Sequence, residues 1–163
     1  MKPITKILVA IDFSDYSKPT LTYAAYVASV FKATLIVVNV INQRDVDVIH
    51  KVEVEGVGGI SVEQYIDIQK IERASMTDQL LGNAGCLDLK IERVFRVGTP
   101  WVELLEVVRE KEIDLVVIGT KGRSNIANTL FGSTAEKVYR RSGVPVLSVR
   151  GKEHEEIVCN QPT

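Results

Sequence analysis

The segment at residues 114–134, DLVVIGTKGRSNIANTLFGST, constrains this chain more than any other. An aliphatic run, residues 115–118, stops at Gly119; Gly122 follows, and after nine more residues Gly132-Ser133-Thr134 opens a helical pattern. A short β-branched run of this kind reads as a strand covered on both faces. Glycines let main-chain amides come close to a ligand, and a helix start presents N–H groups without intrahelical partners. The spacing predicts an anion cradle between a strand and a helix, and in an α/β protein the usual anion there is a nucleotide phosphate. The blander reading is a glycine turn with Ser133 as a helix cap. A Walker A loop is excluded, because there is no GKS or GKT and the outer glycines lie too far apart.

The rest of the chain supplies the strands and helices that this segment needs. Residues 4–11 are a continuous aliphatic run ending before Asp12, the second buried strand is residues 35–41, and a turn over residues 13–17 leads into a helix through Pro19. Leu21, Ala24, Ala25 and Ala28 repeat at helical spacing up to Phe31. Residues 42–61 lose periodicity and mix charges with Val and glycine, which predicts a long mobile loop able to cover a site. Gly56, Gly58 and Gly59 do not make a G-x-G-x-x-G fingerprint between strand and helix. Residues 62–83 read as a helix with Ile66, Ile68, Ile71, Met76, Leu80 and Leu81 as its apolar positions, ended by Gly82 and Gly85. Residues 89–97 alternate with charged interruptions, as an edge strand does. A helix begins near Trp101 with Leu104, Leu105, Val107 and Val108 inward, and another follows Ser133 with Ala135, Val138 and Tyr139 on one face. Residues 144–149 form the last strand, which lies at an edge or begins at Pro145, because that residue has no N–H to donate. The order β-α-β-loop-α-β-α-β-α-β predicts an α/β fold: one open parallel five-stranded sheet with helices on both faces. A single domain spans residues 1–150, and residues 151–163 form a polar, poorly ordered tail.

Composition excludes several classes of function. The 163 residues carry a formal net charge of -1, which argues against nucleic acid and anionic membrane as partners. No apolar run approaches the ~20 residues of a membrane span, and the N-terminal run lacks a cleavage site, so a cytoplasmic location is expected. Cys86 and Cys159 form no CxxC pair, and His50 and His154 have no second ligand at metal spacing.

In open α/β sheets, ligands gather beyond the carboxyl ends of strands where the winding reverses. Strand one ends at Asp12 and strand four at Gly119, so the two would face each other across one crevice. Lys121 and Arg123 place two cations beside the cradle; as loop residues they could equally be solvated charges. Asp12 could bond a ribose or base, help hold a metal, or cap the following helix. Ser14 and Ser17 read as caps, with no G-x-S-x-G elbow or histidine base around them.

These residues carry a resemblance. Gly119-x2-Gly122-x9-Gly132-Ser133 after DLVVIGTKG, together with KILVAIDFSDYS, VGTPWVELLEVV and VPVLSVR, resembles the ATP-binding branch of the universal stress protein family over residues 4–150. The resemblance implies strand order 3-2-1-4-5 in an adenine nucleotide alpha hydrolase-like fold. It implies ATP as ligand, with magnesium as its companion. The main chain at Ala10 and Val40, with Asp12, would hold the adenine end. Gly119 and Gly122 would flank ribose and phosphates, and Gly132, Ser133 and Thr134 would hold the phosphate chain. Position 121 is often His or Arg in similar proteins; Lys121 keeps the charge without the planar, bidentate geometry. A homodimer paired through the last strand is also implied. The leading expectation is a cytosolic stress-response module whose nucleotide state alters a partner or its own assembly. The alternatives are a slow ATPase or autophosphorylating enzyme, and a dimer acting through protein contacts alone.

Overall fold

The computed structural model describes residues 2–56, 59–84, 88–123 and 131–151. Its elements run β1 (Lys6–Ala10), α1 (Ser17–Phe31), β2 (Thr34–Asn42), α2 (Gln43–Val54), α3 (Val62–Asn83), β3 (Ile91–Gly98), α4 (Pro100–Glu110), β4 (Leu115–Gly119), α5 (Ser133–Arg141) and β5 (Val146–Val149). The strands form one sheet in the order β3-β2-β1-β4-β5, with every pairing parallel. The chain winds outward from β1 to β3, crosses back to β4 and continues to β5. The winding therefore reverses between β1 and β4, as expected, and β3 and β5 are the edges.

Alternation along the strands builds two cores. Ile7, Val9, Ile11, Val37 and Val117 pack with Leu21, Ala24 and Ala28 of α1 and Leu81 of α3. Leu8, Ile36, Val38, Val116 and Ile118 pack with Leu104 and Val107 of α4 and Ala135 and Val138 of α5. Because both faces are covered, the central strands need no polar side, and β4 is buried at every position. Each fully buried Ile, Leu or Val contributes about 1.5–3 kcal/mol by leaving water.

Three expectations change. Residues 42–61 are not a long loop, because residues 43–54 form α2. Its start is held by the Asn42 side chain, which accepts from Arg44 N at 3.1 Å, with Asp45 in the first turn and Lys51 in the last. Only Val46 of this helix is buried, while Val48, Val52 and Val54 are exposed, so no apolar stripe announced it. In α3, started by a Ser61/Gln64 capping box, the buried positions are Arg73, Thr77 and Leu81; Ile68, Ile71 and Met76 are exposed. Gly82 lies inside this helix, and Gly85 lies outside the described residues. In α5, Ala135 and Val138 are buried, but Tyr139 is exposed and stacks on Phe131. Of the tail, Gly151 is buried against Tyr16; residues 152–163, like Cys86, lie outside the described residues. No helix among the described residues is long and apolar enough to cross a membrane.

Candidate functional site

The crevice opens because β1 is short. Its register with β2 ends at Ala10 opposite Val38, and Ile11 N donates to Val38 O (3.0 Å), whereas β2 runs on to Asn42. There the Ile11 carbonyl accepts from the side chain of Asn39 (Nδ2, 2.8 Å). Past Val38 the β1–β2 register has ended, and Val40 lines a cavity there. On the other side Ala10 pairs with Ile118, and β4 stops one residue later at Gly119.

Asp12 organises the turn above β1. Its Oδ1 accepts from Ser14 N (3.0 Å), Ser14 Oγ (2.6 Å) and Ser17 Oγ (3.1 Å), while Asp12 N donates to Ser17 Oγ (3.1 Å). Its Oδ2 reaches across the crevice and accepts from Arg123 N (3.0 Å). A carboxylate oxygen can lie there only because residue 122 is glycine: a Cβ on Gly122 would sit 2.3 Å from Asp12 Oδ2. Gly119 is also confined, since a Cβ there would meet Thr20 Oγ1, Lys121 O and Tyr16 Cβ at 3.1–3.2 Å. Of the roles open to Asp12, tying the turn and clamping the glycine loop are the ones its bonds display. Ser14 and Ser17 are members of that turn.

The loop returns where it left. Gly132 N donates to Thr120 O (2.7 Å), and Thr120 N donates to Val149 O (2.9 Å), which pins both ends to β4 and β5. Gly132 is the N-cap of α5, with no side-chain cap bond, and Ser133 and Thr134 begin the helix. Ser133 therefore does not cap it. The first residues of α5 border the cavity with no side-chain cap bond among the described residues, and the helix dipole adds positive potential there.

The cavity is about 460 Å³, within the usual range for a small-molecule site. Ala10, Asp12, Val40, Gly119, Lys121, Gly122, Arg123, Gly132, Ser133 and Thr134 all line it, so the structure brings together every residue singled out from the sequence. Val38, Leu104, Ile118 and Ala135 give it an apolar floor. The wall also holds residues that sequence reasoning missed. Asn42, Arg44 and Asp45 come from the start of α2, where the sequence pattern predicts a loop. An Asn followed by an acidic first turn was the available signal. Tyr16, the N-cap of α1, and Thr20 within it had none.

The charge balance at the wall is cationic. The ion pairs among the described residues, such as Arg93–Asp78, Arg96–Glu110 and Lys111–Glu92, involve none of Arg44, Lys121 and Arg123. Behind the wall, burial lowers the pKa of the Arg73 guanidinium, and the nearby Arg123 charge adds to the effect. No group of three or more His, Cys, Asp or Glu among the described residues could hold a metal ion.

Comparison with known proteins places the chain. The model of the universal stress protein family matches residues 3–150. Universal stress protein MJ0577 of Methanocaldococcus jannaschii is 26% identical over 156 residues, covering 90% of this chain and 95% of its own length. The solved structure of MJ0577 superimposes with a TM-score of 0.76 at 23% identity, over 93% of this chain and 99% of that one. A universal stress protein in complex with cAMP gives 0.62 at 28% identity, over 91% and 98%. The universal stress protein of Archaeoglobus fulgidus in complex with dAMP gives 0.59 at 21% identity, over 90% and 98%.

Proposed function

The chain belongs to the universal stress protein family, and from that premise we propose that it is an ATP-holding regulatory module of the stress response. The observation that carries this reading is the uncapped start of α5. It borders a cavity with a glycine-lined mouth, an apolar floor and three cations that lie outside the ion pairs of the described residues. In the proposed pose the adenine lies on Val38, Leu104 and Ile118 with its edge at the Val40 main chain. Gly119 and Gly122 admit the ribose, and the phosphates meet the amides of Gly132, Ser133 and Thr134 beside Lys121 and Arg123. Structures of relatives holding cAMP and dAMP support an adenine nucleotide as the ligand class. Magnesium would arrive bound to the phosphates and meet Asp12 alone among the predicted carboxylates.

Holding fits the site better than hydrolysis. Phosphoryl transfer needs a group that orients the nucleophile, and both oxygens of Asp12 already accept from its own chain. The proposed setting is the cytoplasm, as a homodimer that pairs through β5, an edge strand with Leu147 partly exposed.

Equilibrium dialysis with ATP and magnesium tests the reading, with cAMP and dAMP as competitors. Retention at micromolar to millimolar ATP is expected, and none at millimolar ATP would overturn it. Gly132→Val is the variant of choice: among the described residues a Cβ there meets nothing closer than 3.6 Å, whereas an approaching phosphate would meet the added side chain. Chromatography of whatever nucleotide the purified protein releases on denaturation checks the ligand independently.

A further inference from the structure

Arg73 projects from α3 into the core with only 7% of its surface exposed, and no carboxylate among the described residues pairs with it. An arginine in such a place is costly unless its donors are used. Two of them are: Nη1 donates to Asn39 Oδ1 (2.8 Å) and Nε to Gln69 Oε1 (3.1 Å). The guanidinium carbon also stands 6.0 Å from the centre of the Phe13 ring.

These contacts lead to the crevice. A guanidinium has donors and no acceptor, so Asn39 must turn its oxygen towards Arg73 and its NH₂ towards the Ile11 carbonyl. That carbonyl is the group at which the β1–β2 ladder ends. Just past that point Val40 of β2 lines the cavity. Phe13, the residue after Asp12, holds a φ of 62°, a left-handed conformation that a bulky side chain adopts only when its surroundings enforce it. Arg73 lies over that ring. It thus bears on both sides of the turn that carries Asp12, on Ile11 through Asn39 and on the Phe13 ring directly, and lines no part of the cavity itself.

We propose that Arg73 is a positioning residue for base recognition: through Asn39 and Phe13 it sets the end of the β1–β2 ladder and so the main-chain edge at Val40 that reads the purine. This deepens the nucleotide reading and rests on it. Lysine at this position, also donor-only, can hold the Asn39 oxygen. Methionine keeps the volume and loses the bond.

The test is the affinity of the full chain and its R73M and R73K variants for ATP and for GTP, by titration calorimetry with magnesium. Wild type is expected to favour ATP. R73M is expected to lose about tenfold in ATP affinity, as for one lost charged hydrogen bond, with GTP changed by less than about threefold. The discrimination should collapse accordingly, and R73K should restore it. An equal loss for both nucleotides, or no loss for either, would mean that Arg73 only supports the fold and would overturn the proposal. Hydrogen exchange of the ligand-free proteins separates this outcome from failure of the nucleotide reading. R73M should accelerate exchange at residues 11–14 and 38–41 and leave residues 5–6 unchanged, whether or not wild type binds ATP. If the ligand-free proteins show no such local difference, the proposal fails on its own ground. Should R73M not fold, R73K and N39A carry the same two measurements, with N39A expected to lose discrimination.

Discussion

Asp114, just before β4, and Asp12, just after β1, each collect main-chain N–H groups and hydroxyls at opposite ends of the same sheet, Asp114 from distant residues and Asp12 from its own turn and from Arg123. Asp114 Oδ2 accepts from Thr5 N (2.8 Å), Thr5 Oγ1 (2.9 Å) and Lys6 N (3.0 Å), and Lys2 Nζ lies 2.8 Å from Oδ1. Its side chain is 4% exposed. The Lys2 ammonium, with the Thr5 and Lys6 donors behind it, holds this carboxyl well below the usual carboxylate range, against the upward pull of burial. Asp12 has a similar set of donors but borders a cavity. The difference lies in the polarity of a parallel sheet. At the end where β1 and β4 begin, a carboxylate can bond the first strand amides and close the seam. At the other end, the start of α5 leaves amides facing a gap, and a carboxylate there holds the gap's shape.

The largest effect should come from breaking the Asp12 clamp. Gly122→Val pushes a side chain into Asp12 Oδ2, and ATP retention should fall by about a hundredfold or more, comparable to losing an oriented set of phosphate contacts. Equilibrium dialysis reads this, with the circular dichroism spectrum unchanged. If Gly122→Val binds ATP as wild type does, the clamp has no part in the site.

Asp114→Ala is the counterpart at the closed end. Leaving three part-buried donors without an acceptor should cost about 3 kcal/mol in urea denaturation, with ATP affinity within about twofold of wild type. A loss of affinity as large as that of Gly122→Val would erase the contrast between the two ends.

Acid titration sharpens it. A folded-state pKa below the unfolded value gives stability that is fully present above the unfolded carboxylate pKa of about 4. That stability is lost as pH falls towards the depressed folded value. The urea midpoint of wild type should therefore drop more steeply than that of Asp114→Asn between about pH 5 and pH 2. Smaller again, Lys121→Met should weaken ATP binding by roughly three- to tenfold and flatten its salt dependence, since one partly exposed cation beside a phosphate is worth about 1 kcal/mol. The smallest change belongs to Lys2→Ala. Lys2 is largely exposed, so the melting temperature at neutral pH should hold while the acid midpoint moves up slightly.

Much of this was legible in the chain. Leu115, Val116, Val117 and Ile118 read as a doubly covered strand and are one, because burial on both faces writes itself as unbroken aliphatic sequence. The glycines at 119, 122 and 132 and the Ser-Thr pair after them marked the cavity wall before any geometry was known. What could not be read has a common cause. Helix α2 buries little beyond Val46 and is held by its caps, so periodicity passed over it, and with it Arg44 and Asp45. In α3 the isoleucines at 68 and 71 suggested a buried face that the structure gives to Arg73 and Thr77.

The sequence by itself determined the strands, the helices other than α2, the parallel sheet and the place of the glycine loop, because these follow from local patterning and from chain connectivity. Only the tertiary structure decided what each polar group does. Asp12 is a clamp because Gly122 and Arg123 are brought within hydrogen-bond reach of it, from 110 and 111 residues away. Arg73 is tolerated in the core because Asn39 on β2 and Phe13 on the β1 turn receive it. Polar side chains find partners across the fold, and no periodicity in the chain records which partner they will meet.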